Sequence, residues 1–115
     1  MAYTEIMPVK GEMNQITKIT FESAGGSTEG FVFKLPNAGD EYLTLLVQNA
    51  GSGTTSFTVK KPETGSYCAS SKDETFEMGT LGFGVFRFES AKWANHDGTV
   101  KCVPATATVK MAVVY

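Results

Sequence analysis

The chain has 115 residues, 42% apolar, 11% aromatic and 19% charged, which suits one folded globular domain and argues against disorder. Ten basic against twelve acidic residues give a formal charge of −2, and the one adjacent basic pair is Lys60-Lys61. Without a basic stripe to neutralise phosphates, a nucleic-acid module is not expected.

"MAYTEIMPVKGEMNQ" at the start lacks a basic opening, an apolar run and a small-residue cleavage site. No apolar run approaches the ~20 residues that span a bilayer. These features lead to the expectation of a soluble chain made in a cytoplasm, with no membrane contact.

Residues 1–13 show Tyr3, Ile6, Met7, Pro8 and Val9 without a clean period. They fit either a first edge strand with a frayed end or an arm that orders on a neighbouring subunit. In the second reading Tyr3, Ile6, Met7 and Pro8 are possible partner contacts. Residues 14–115 then form a single β domain. Its strand signals begin with "NQITKITFES" and "EGFVFKL", separated by "AGGST". "EYLTLLVQN" and "TTSFTVKK" follow, then "ETFEM", "FGVFRFES", "GTVKCV" and "TATVKMAVVY". Most are short, β-branched or aromatic, and bounded by Gly, Pro, Asn or Asp.

Several alternate strictly. Phe31, Phe33 and Leu35 share one face, Phe57 and Val59 another, and Val109, Met111, Val113 and Tyr115 a third, while Thr108, Lys110 and Ala112 point away. A period of two with one apolar face is the pattern of antiparallel sheet packed on one side. About eight such strands predict an all-β protein, an antiparallel β-sandwich or small barrel. "SAKWANHD" is ambiguous and too short to predict a helix.

The loop "NAGSG", residues 49–53, has the glycines of a phosphate cradle, but a strand follows it where a cradle needs a helix N-terminus. It reads as a hairpin turn. In "HDGT", Gly98 is placed to take positive φ in a tight reversal.

His96 is the single histidine, so any Ser-His-Asp or Cys-His arrangement must run through it. It lies at a turn tip, with no G-x-S-x-G elbow. Acidic residues cluster at Asp40-Glu41 and at Asp73-Glu74 with Glu77, the residue types of glycoside hydrolysis. Neighbours along a strand point to opposite faces, however, so Asp73 and Glu74 do not converge. No enzyme is expected.

One histidine and the two distant cysteines, Cys68 and Cys102, cannot make a four-ligand zinc site without carboxylate help, and no calcium loop is present. No metal or cofactor is expected. The two cysteines lack C-x-x-C spacing and read as free thiols, with a disulfide left open. Among the aromatics, Phe31, Phe33, Phe57 and Phe88 sit in strands and read as core. Trp93, in a loop, is a plug at the edge of the core, a partner contact or a sugar-stacking platform.

From Glu41 to Tyr115, "LLVQNAG", "TSFTVKKP", "FGVFRFES", "WANHDGTVKCV" and "ATVKMAVVY" resemble, in order and spacing, the small decoration (auxiliary or cement) proteins of tailed-phage heads. The resemblance implies a β-sandwich that coats the outside of a capsid, often as homotrimers, and stabilises the shell. Its partners would be the major capsid protein and itself, on the virion surface after assembly in the host cytoplasm. No catalytic residues come with it. Neither the cysteines nor the Phe, Arg and Ser of "FRFES" match the pattern. The rival readings are a carbohydrate-binding or adhesion module, and a tail or head-completion virion protein.

Overall fold

A computed structural model describes residues 2–24, 29–37, 39 and 42–115. Among these, nine strands form two sheets packed face to face. In chain order they are β1 (Ala2–Glu5), β2 (Glu22–Ser23), β3 (Glu29–Lys34), β4 (Thr44–Asn49), β5 (Thr55–Val59), β6 (Glu74–Met78), β7 (Phe83–Arg87), β8 (Thr99–Pro104) and β9 (Val109–Val114). One helical turn, α1 (Ser90–Trp93), precedes β8. The five-stranded sheet runs β1-β3-β8-β5-β6 and the four-stranded sheet β2-β9-β4-β7. The fold is therefore a sandwich, and not a barrel.

The alternation in the sequence decides which side chains meet between the sheets. Phe31, Phe33, Phe57, Val59, Val100 and Cys102 of the larger sheet are buried against Leu45, Val47, Val109, Met111 and Val113 of the smaller one. Burying such side chains, at about 1.5–3 kcal/mol each, is the main drive to fold. A run of rings ties the sheets together on one side. Phe57 meets Phe76 at 5.5 Å, Phe76 meets Phe86 at 5.2 Å, Phe86 meets Phe88 at 5.1 Å and Phe88 meets Phe33 at 5.3 Å. Two of these steps cross from one sheet to the other. Three of the four contacts are edge-on and the fourth is tilted, the geometry the ring quadrupole favours.

Two sequence expectations change. The loop after Asn49 does turn the chain, yet it makes no hairpin, because β4 and β5 lie in different sheets. A turn signal fixes where the chain reverses; it does not fix which sheet the next strand joins. "NQITKITFES" contributes only the two residues of β2, which pair with Lys110 and Met111 of β9.

The N-terminal segment is an edge strand that changes sheets. β1 runs parallel to β3, with Tyr3 beside Gly30 and Glu5 beside Val32. Ile6 N then donates to Val32 O at 2.9 Å, and further on Val9 N donates to Val113 O at 2.9 Å, in the other sheet. Gly11 N closes on Tyr115 O at 2.8 Å. Residues 2–11 are thus held by their own domain. The parallel β1–β3 pair and the parallel Val9–Val114 bridge also make the sandwich not wholly antiparallel.

Candidate interaction face

The two outer faces differ in chemistry. On the larger sheet the outward positions carry Lys60, Lys101, Thr58, Thr75 and Glu77. Lys60 Nζ pairs with Asp73 Oδ2 at 2.8 Å, and Lys101 Nζ stands 4.9 Å from the centre of the Tyr3 ring. The Lys60 hydrogen bond, joined by the Lys61 N–H, holds the Asp73 carboxyl below its ordinary value, and Asp73 in turn raises Lys60. This face is largely polar, with Lys60 held by Asp73 and Lys101 by the Tyr3 ring.

The outer face of the smaller sheet is apolar on its β7 side, while Thr44, Gln48, Lys110 and Arg87 share the same face. Its registers set Leu46 between Val85 and Ala112, and Val114 beside Thr44. Phe83 and Val85 of β7 are 59% and 61% exposed, and Leu81, one step before the strand, is 72% exposed. Residues two apart on a strand point the same way, so Phe83 and Val85 share a face, and Leu81 stands exposed in the turn that leads into them. The Phe21 ring lies against Phe83 at 5.9 Å between centroids and carries the patch further. Ala112 points away from the Val109, Met111 and Val113 row, as the alternation requires, and is nonetheless buried beside Leu46 on this outer face.

Leu81 adds a second cost to its exposure. Its φ of 55° is in the left-handed region that disfavours side chains with a Cβ. A leucine both strained and exposed contributes little to the fold it belongs to, and it leads into the exposed apolar pair. Contiguous exposed apolar surface of this kind marks an interaction site in a folded domain.

The candidate residues from the sequence fall elsewhere. Ile6 and Trp93 are each only 2% exposed, so neither is available to a partner. The α1 turn points Trp93 inward, where its ring meets Phe86 at 6.5 Å and Lys92 Nζ lies 5.1 Å from its centre. Of the three readings of Trp93, the core plug describes its place; a stacking platform needs an open face. Tyr3 and Pro8 are half-buried and Met7 is exposed, along the N-terminal segment and away from the β7 row. Sequence reasoning missed Phe83, Val85 and Leu81 as surface residues because aromatic and β-branched types in a strand read as core. The signal available was that "FGVFRF" is apolar on both faces, more than a half-buried strand needs.

The candidate chemistry stays dispersed. The His96 backbone N–H donates to Thr64 O at 3.0 Å, and among the described residues its imidazole has no carboxylate or hydroxyl partner. Asp73 turns to Lys60, while Glu74 Oε1 takes Lys92 Nζ at 3.4 Å, so these two acids do point apart. Asp40 and Glu41 lie outside the described residues. No group of His, Cys, Asp and Glu among the described residues is placed to hold a metal ion. One open groove of about 500 Å³ is lined by Thr55, Ser56, Glu77, Met78 and Thr106 among others. Thr55 Oγ1 and Thr106 Oγ1 bond each other at 2.7 Å. Cys68 is exposed and Cys102 is buried, and both are free thiols. No helix among the described residues is long and apolar enough to cross a membrane.

No protein-family model, no curated protein and no solved structure matches this chain.

Proposed function

We propose that this chain is a non-enzymatic structural protein that attaches to a protein lattice through the apolar β7 side of the outer face of its four-stranded sheet. The observation that carries the reading is the exposed pair Phe83 and Val85, with Leu81 in the turn before them and Phe21 packed against Phe83. Such a patch destabilises nothing once a partner covers it, and it supplies repeated small contacts that add up on a symmetric surface. The polar, ion-paired face of the other sheet then remains toward solvent.

The lattice in this reading is the outer surface of a tailed-phage head. That identification rests on the sequence resemblance of residues 41–115 to head decoration proteins, which also supplies the major capsid protein as partner and the homotrimer as the attached form. The chain would join the shell in the host cytoplasm and remain on the virion. The test is a count of this chain against the major shell protein in purified particles by quantitative mass spectrometry. A number comparable to the shell protein is the expected result. A handful of copies would assign it to the tail or connector, and absence from particles would overturn the reading.

A further inference from the structure

Open sheet edges are hazards, and folded proteins blunt them by making them short or charged. β2 has two residues. β6 carries Glu74 and Glu77, and β1 ends on Glu5. β7 is the exception: Phe-Gly-Val-Phe has no charge before Arg87, and two of its side chains are exposed and apolar.

The backbone of β7 is aimed as well. Asn49 N donates to Gly82 O at 2.8 Å and Phe88 N donates to Leu43 O at 3.4 Å, so even-numbered residues here turn their backbone groups toward β4. Phe83 and Val85, between them, turn their N–H and C=O groups to the open edge. Neither has a backbone hydrogen-bond partner there among the described residues.

We infer that β7 pairs antiparallel with β7 of a second copy across a two-fold axis at Gly84, with Phe83 of each copy opposite Val85 of the other. In this register the open-edge N–H and C=O groups of both residues find partners. Each phenyl ring packs on a β-branched side chain on the outer face, a favourable cross-strand pair. The two Gly84 residues meet at the axis. A Cβ at Gly84 would touch only Met78 Cε, at an ordinary 3.7 Å, so the single copy has room for a side chain there. Glycine in a strand often marks the close approach of another backbone, which is what the axis supplies.

Charge permits the pairing, since Arg87 falls opposite Leu81 of the second copy and the two arginines stay apart. The apolar side-chain surface covered at Phe83 and Val85 is roughly 200 Å² per copy, well below the ~600 Å² per partner at the low end of stable complexes. The pair is therefore weak and depends on concentration. It joins the apolar faces of two copies into one wider surface, and it does not rest on the identity of the lattice.

Sedimentation velocity from about 10 μM to about 1 mM, the range for an interface this small, tests it. The expected result is a mass rising from 12.4 kDa toward twice that value. Val85→Pro keeps an apolar side chain, loses the N–H that faces the open edge and fixes φ at about −65°, which an edge strand accommodates. It is expected to stay at the mass of one copy with unchanged circular dichroism. Val85→Lys, which puts a charge beside the axis, is the second variant should the proline disturb folding. A wild type that remains single at the top of the range would overturn the inference. So would association, including a mass of three copies, that both variants leave intact.

Discussion

Asn49 and Gly79 are joined by a hydrogen bond from the Asn49 side-chain Nδ2 to the Gly79 carbonyl, 3.0 Å long, which ties the end of β4 to the turn before β7. The same nitrogen donates to Gly53 O at 2.8 Å, and Asn49 Oδ1 accepts from Gly51 N at 3.0 Å. The side chain is fully buried, with both of its polar ends partnered. One amide thus closes the glycine loop and positions the turn that presents Leu81.

Asn49→Ala removes all three bonds and leaves a hollow where the buried amide was, while Gly53 and Gly79 are themselves exposed. A hydrogen bond contributes about 0.5–1.5 kcal/mol net, so losing three is expected to cost about 2–4 kcal/mol by urea denaturation. Asn49→Asp should be no milder, since a carboxylate cannot donate to Gly53 or Gly79. An effect under about 0.5 kcal/mol would contradict the role.

Gly30 is held by a close approach. A Cβ there would stand 2.7 Å from Tyr3 Cε1 and 2.8 Å from the Cys102 carbonyl oxygen. Gly30→Ala is expected to cost about 1–3 kcal/mol in thermal or urea unfolding. Adding Tyr3→Ala should recover only part of the loss, because the ring can leave while the carbonyl stays in the sheet.

The two thiols should separate cleanly by reactivity. Cys68 is open to solvent and is expected to react with a thiol reagent in the native protein; Cys102 should react only on unfolding. Burial pushes the Cys102 thiol from its ordinary 9.0 up to about 12. A raised folded value means stability is present below pH 9.0 and is lost as pH climbs from there toward 12. The loss from this group approaches about 1.4 kcal/mol per pH unit in that window. Cys102→Ala should be less stable at neutral pH but show a flatter alkaline limb. An alkaline limb unchanged by the substitution would contradict the assignment.

The acid limb has the opposite sign. Asp97 accepts from Thr99 Oγ1 at 2.6 Å and from Thr99 N at 3.0 Å, and these bonds hold its carboxyl below the ordinary 3.8. Stability from a lowered carboxyl is present above pH 3.8 and is lost as pH falls through the folded value. The midpoint advantage of wild type over Asp97→Ala should therefore shrink below about pH 4 in a thermal series. A constant difference down to about pH 2 would show that the turn is held by other contacts.

Much of the fold was written in local pattern. "ETFEM" is β6 residue for residue, and Phe31, Phe33 and Phe57 are buried as their alternation requires. What was not legible is what depends on distant chain. In "NQITKITFES" the β-forming residues find no ladder before Glu22, and Ile16 is almost wholly exposed. Strand propensity records how well a residue fits a pleated, packed surface, and a segment without that surface does not become a strand. The N-terminal stretch shows no period because it serves two sheets within ten residues: Tyr3 covers Gly30 on one, and Val9 joins Val114 on the other. Trp93 is turned inward by a single helical turn, too short to leave a periodic trace. The interaction face escaped for a related reason. Phe83 and Val85 carry core chemistry, and only the register of β7 on β4 shows that they face out.

Hydroxyl-radical footprinting of purified particles against the free protein, at a concentration where the free chain is single, tests the attachment face most directly. Phe21, Leu81 and Phe83 are expected to lose reactivity several-fold on the particle, while Tyr3, on the polar side of the sandwich, keeps its own. Protection of Tyr3 with Phe21, Leu81 and Phe83 still reactive would mean that the protein attaches by the opposite sheet, and the account of the apolar face would be wrong.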